Sequence, residues 1–160
     1  MHDEKDFQAA SPTGILLTKY YAGGYKPAYA PFTHLMVAAK SSDGIVLVAT
    51  DDGALWTLPG GAREHHLDCR EQAVVKLRHD AGLEASRAAV LGYYRIVSSD
   101  RVEYGALVFC VAAADPKALP SPPACEWRIW DGKDCLMGLD PISEALASVA
   151  WGSKPWQDDV

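Results

Sequence analysis

Lys76, His79 and Asp80 stand at positions i, i+3 and i+4 of one helix-like stretch. That spacing brings three side chains to the same side of a helix. Just upstream lie Gly60 and Gly61 after Pro59, followed by Arg63-Glu64-His65-His66. Two kinds of chemistry can be built from this set. In the first, the Asp80 carboxylate and the His79 imidazole hold a divalent ion, with Glu64 or Asp80 serving as ligand or general base. Imidazole is a poor partner for Mg²⁺ but suits Mn²⁺ or Zn²⁺. In the second, the Lys76 ammonium acts as a point charge that holds phosphate. Arg63, His65 and the Gly60-Gly61 segment would then complete a metal-free anion cradle. Plain structural roles compete with both: His65 and His66 as solvated loop residues, Glu64 paired with Arg63, and Lys76 on an exposed helix face.

The elements that must position these residues are legible from pattern. Residues 54–58 read as a strand that turns sharply at Pro59-Gly60-Gly61. A helix follows, with Asp68 as N-cap, Ala73, Leu77 and Ala81 (Val74 beside them) as its core-facing stripe, and Gly82 just past its end. Upstream, residues 15–21 form a first strand, and 22–31 form a loop because Gly23, Gly24 and Pro27 interrupt the spaced tyrosines. Residues 34–39 and 45–50 are two strands around a turn containing Asp43-Gly44. Downstream, 88–97 and 101–113 read as a long antiparallel pair, 115–123 as a proline-rich loop, 125–130 as a strand, and 141–151 as an amphipathic helix opened by Pro141. Residues 1–13 are expected to be a flexible arm and 153–160 a loose tail, leaving one domain over 14–152. The order strands, helix, strands, helix specifies an α+β domain with a mixed sheet between helices.

The run LWTLPGGAREHHLDCREQAVVKLRHDAGL, from Leu55 to Leu83, resembles the Nudix box of nucleoside-diphosphate-X hydrolases. That pattern runs Gly, five residues, Glu, seven residues, Arg-Glu, an apolar residue, any residue, Glu-Glu, any residue, Gly, apolar. From Gly61 to Gly82-Leu83 the length matches without insertion or deletion. The resemblance implies an α/β/α sandwich whose box helix presents carboxylates to Mg²⁺ or Mn²⁺ against a substrate diphosphate. Those carboxylate positions are Lys76, His79 and Asp80 here, the arginine position is Val75, and the early glutamate is Leu67. A lysine ammonium about 4 Å from a divalent ion is repelled by at most roughly 8 kcal/mol at an effective dielectric near 20. The resemblance therefore implies a nucleotide-like ligand, with metal-dependent diphosphate cleavage weakened, altered or lost. A non-catalytic nucleotide-binding or protein-interaction domain is the alternative.

Composition sets the outer bounds. The formal charge of −6 over 160 residues argues against a binder of nucleic-acid polymers. Cys69, Cys110, Cys125 and Cys135 have no zinc-ligand spacing and read as reduced thiols of a cytoplasmic protein. No apolar run approaches the roughly 20 residues that span a bilayer. Tyr104, Trp127 and Trp130 could stack on a base but sit in strands, where packing is the simpler role. Glu103 and Glu126 are general-base candidates outside the box, and nothing in the sequence chooses between them. A homodimer is compatible with the chain, though no residue marks its interface.

Overall fold

The computed structural model describes residues 4–23, 32–112 and 124–152. Its elements in chain order are β1 (Glu4–Ala10), β2 (Leu16–Ala22), β3 (Phe32–Ser41), β4 (Gly44–Ala49), β5 (Trp56–Thr57), β6 (Gly60–Ala62), α1 (Cys69–Ala81), β7 (Ala85–Val97), β8 (Val102–Ala112), β9 (Trp127–Trp130) and α2 (Pro141–Gly152). The strands form one sheet in the order β1-β2-β7-β8-β3-β4-β5, with β6 also on β3 and β9 on β4. Pairing is antiparallel except between β3 and β8, which run parallel from Phe32↔Tyr104 to Lys40↔Val111. The sheet is therefore mixed, as expected.

Each face of the sheet carries one helix. Residues alternate across a strand, so β3 sends Leu35, Val37 and Ala39 to one side and Ala38 to the other. The first set packs with Ala73, Leu77 and Ala81 of α1, together with Val46, Val108 and Cys110. The second side packs with Ile142, Leu146, Ala147 and Ala150 of α2, together with Leu47, Leu107 and Phe109. Strands covered on both faces read as continuous apolar runs, which is why β4 and β8 show little polar alternation. The result is the α/β/α sandwich. Among the described residues no helix is long and apolar enough to cross a membrane.

Helix α1 has the expected ends. The Asp68 carboxylate accepts from the Glu71 N–H at 2.9 Å, and Gly82 adopts φ 69° while its N–H donates to the Arg78 carbonyl at 2.9 Å. Helix α2 is capped by Asp140, whose carboxylate accepts from the Ser143 N–H at 3.0 Å.

Two expectations need correction. The arm expected over residues 1–13 contains the edge strand β1, antiparallel to β2 from Glu4↔Tyr21 to Ala10↔Leu16. Its side chains are mostly exposed, so the strand leaves no run of buried apolar residues to read; it is held by its ladder and by Lys19, 3.2 Å from Glu4 and 3.4 Å from Asp6. The sharp turn expected at Pro59-Gly60-Gly61 is a bend at Pro59 followed by strand β6, which pairs with β3 at His34, Leu35 and Met36. Gly60 is required there by close approach: a Cβ would lie 2.3 Å from the Leu35 carbonyl oxygen and 2.6 Å from Met36 Sδ. The loop expected at 22–31 lies mostly outside the described residues, and the 115–123 loop and the 153–160 tail lie wholly outside them.

Leu77 is fully buried at the centre of the α1 core. Leu77→Ala should cost about 3 kcal/mol and lower Tm by roughly 6–12 °C, measured by thermal denaturation.

Candidate functional site

A cleft of about 420 Å³ opens where the C-terminal half of α1 meets the end of β4. Lys76, His79 and Asp80 form one wall. Val48, Ala49, Thr50 and Asp51 line the cleft from β4 and the residues after it, with Thr57, Leu58 and Gly60 from the chain entering β6. Ala124 and Cys125 complete it, fastened to the helix end by N–H groups that donate to the His79 carbonyl at 2.9 Å and the Asp80 carbonyl at 3.0 Å. Those bonds satisfy acceptors that the last turn of a helix leaves without an intrahelical partner. A second hollow of about 340 Å³ continues past residues 49–51 and 124–125 to Asp52, Gly53 and Glu126.

The helix places Asp80 toward the core side because it lies three residues after Leu77 and directly before Ala81. Its side chain is only 7% exposed, and both carboxylate oxygens are engaged. Lys76 Nζ stands 3.5 Å from Oδ2, and His79 Nδ1 stands 2.7 Å from Oδ1. Lys76 also reaches beneath the glycine segment: a Cβ on Gly61 would come within 3.8 Å of Nζ. The His79 ring itself is mostly exposed. Burial pushes the Cys125 thiol up, the Asp80 and Asp51 carboxylates add to that rise, and Lys76 opposes it. These four groups thus share one local field.

This donor set does not fit a divalent cation. Mg²⁺ asks for several oxygen ligands in near-octahedral array. From α1 the cleft receives one carboxylate, Asp80, whose Oδ2 already faces an ammonium at 3.5 Å. Among the described residues no group of three His, Cys, Asp or Glu side chains is placed to hold a metal ion.

The other sequence candidates are dispersed. Arg63 is turned against α1, not into the cleft: Nη1 donates to Gln72 Oε1 at 2.6 Å and Nη2 to the Leu67 carbonyl at 3.1 Å. Its guanidinium carbon lies 4.9 Å from the Phe32 ring centroid, a cation–π stack. Glu64 stands 3.9 Å from His66, not paired with Arg63, and both it and His65 are exposed. Neither Arg63, Glu64 nor His65 lines the cleft. The metal-free cradle is therefore reduced to Lys76 with Gly60 and Gly61 close by. Of the two outlying glutamates, Glu126 borders the second hollow. Glu103 is half a sheet away in contact with His34 at 3.9 Å and Arg101 at 3.7 Å. Tyr104 and Trp130 are buried packing residues, and Tyr104 lies against Tyr21 with ring centroids 6.1 Å apart.

Three residues escaped the sequence reading. Gln72 is the organiser of the loop before α1: its Oε1 accepts from Arg63 and from the Glu64 N–H at 3.0 Å, and its Nε2 donates to the Ala62 carbonyl at 2.7 Å. A polar residue beside the stripe residue Ala73 was the available signal. Asp51 and Cys125 carry no local signal for the cleft; their place in it depends on contacts far apart in sequence.

No protein-family model and no curated protein matches the sequence. Solved structures do match. A mutant of a pyrophosphohydrolase from Bacillus subtilis aligns with TM-score 0.58 at 13% identity, over 91% of this chain and 98% of that one. A MutT Nudix hydrolase from Burkholderia pseudomallei aligns with TM-score 0.57 at 17% identity, over 74% and 96%. An ADP-ribose pyrophosphatase from Streptococcus suis aligns with TM-score 0.52 at 21% identity, over 76% and 92%. At these identities the likeness establishes the fold, which is that of Nudix hydrolases.

Two measurements check the geometry. Gln72→Ala leaves buried partners of the loop unsatisfied and should cost about 2 kcal/mol. Amide exchange should quicken over residues 62–67 ahead of the rest of the domain. Because its pKa is raised, Cys125 holds less thiolate at pH 8 than an unperturbed cysteine, so exposed Cys135 should be alkylated first in a mass-resolved time course.

Proposed function

We propose that this Nudix-fold chain binds a nucleoside-diphosphate-type small molecule in the cleft beside α1 without cleaving it by the divalent-metal route. The observation that carries the reading is the Lys76–Asp80 pair, 3.5 Å apart at the cleft wall. A divalent ion beside Asp80 would have to displace an ammonium that already serves that oxygen. The same ammonium is a charge-assisted donor for a phosphoryl oxygen, and it lies 3.8 Å from where a Gly61 Cβ would stand. Likeness to a pyrophosphohydrolase and an ADP-ribose pyrophosphatase supports the ligand class.

Charge limits the affinity. Asp51 and Asp80 share the cleft with Lys76, so a phosphoryl group gains from one cation while facing two carboxylates. Binding is accordingly modest and salt-dependent, and a diphosphate fits this balance better than a longer polyphosphate. The chemistry left to the chain's own residues is to orient and desolvate the ligand, not to activate a water through a metal.

ADP-ribose, ADP and related diphosphates should bind saturably by calorimetry in EDTA, and Lys76→Met should weaken that binding about tenfold. Phosphate release with Mg²⁺ or Mn²⁺ should stay at the uncatalysed level. Turnover on the order of 1 s⁻¹ or faster would overturn the non-hydrolytic reading and return Glu64, His79 and Asp80 to consideration as catalytic groups. Absence of binding across the panel would overturn the nucleotide assignment and leave the protein-interaction alternative.

A further inference from the structure

We infer that the Lys76 ammonium is a built-in replacement for a divalent cation, neutralising buried Asp80 so that the domain is held together without metal. The inference rests on the metal-independent reading above and deepens it by assigning the source of the compensating charge.

Asp80 needs a counter-charge because its side chain is 7% exposed, and an ionised carboxylate loses its hydration when buried. Lys76 reaches it from one turn earlier on the same helix, with its own side chain 33% exposed. Lysine preceding aspartate at i, i+4 is the weaker order for an isolated helix pair. Here the pair forms beside the glycine segment, where Nζ lies 3.8 Å from the site of a Gly61 Cβ. His79 Nδ1 lies 2.7 Å from the other oxygen, so each carboxylate oxygen already has a nitrogen partner on the same helix. Asp51, which also lines the cleft, adds negative charge to the same space, which makes a resident positive charge more favourable still. A metal would supply that charge only when bound; a covalently attached ammonium supplies it always.

Thermal melts without nucleotide test this independently of any hydrolysis assay. The unaltered chain should melt at the same temperature, within about 1 °C, in EDTA and in millimolar Mn²⁺. Lys76→Met should lower Tm by roughly 5 °C, and adding Asp80→Asn to that variant should recover most of the loss. Lys76→Glu places two carboxylates at i, i+4 and should be stabilised by Mn²⁺, binding it at least about tenfold more tightly than the unaltered chain by calorimetry. Marked stabilisation of the unaltered chain by Mn²⁺ would overturn the inference. So would a Lys76→Met variant as stable as the parent, or a double variant no better than Lys76→Met alone, since Lys76 would then act through the packing of its stem.

Discussion

The constraint on which the rest depends is that the central strands β3 and β8 must be covered on both faces. Their parallel pairing places Leu35, Val37, Ala106 and Val108 toward α1 and Ala38, Leu107 and Phe109 toward α2. Burial of apolar area on this scale is the principal favourable term in folding. It also dictates where α1 may lie, since Ala73, Leu77 and Ala81 have to meet that sheet face. Once the helix is seated, its flanking residues have no freedom of direction. Asp80 is carried inward with the stripe, Lys76 follows at the cleft, and Val75 is left half exposed.

The approach to that helix is controlled by contacts of a different kind. Gly60 lets β6 lie against β3 at a distance no side chain would permit, and Gln72 with Arg63 ties the following loop to the first turns of α1. These hydrogen bonds engage Arg63, one of the polar groups that the sequence offered as a ligand contact. An arginine near a glycine-rich segment is a natural phosphate-binding candidate, yet here its guanidinium satisfies a carbonyl and an amide and stacks on Phe32. Arg63 is thereby turned away from the cleft, and Lys76 is left as the cation of its wall.

Much of the architecture was legible beforehand because its signals are local. Asp68, the Ala73-Leu77-Ala81 spacing and Gly82 define α1 within one residue at each end, since capping and periodicity act over a single turn. The β3–β4 hairpin and the long β7–β8 pair were likewise visible as apolar runs separated by turn residues. Strand β1 was not legible, because an exposed edge strand such as EKDFQAA buries too little to impose a pattern. The path at Gly60 was misread for a related reason: a glycine required by a neighbouring strand looks the same in sequence as one required by a turn.

By itself the sequence determined the helix with its caps, the α+β order and the placing of Lys76, His79 and Asp80 on one helix face. Each of these is a property of residues within a turn or a strand of one another, so covalent connectivity already fixes their relation. The tertiary structure alone decided that Asp80 is buried with both oxygens engaged, that Arg63 and His65 are absent from the cleft, and that Asp51 and Cys125 belong to it. Those facts depend on β4, the 124–125 segment and α1 converging from positions far apart in the chain. Burial and charge pairing arise only from that convergence.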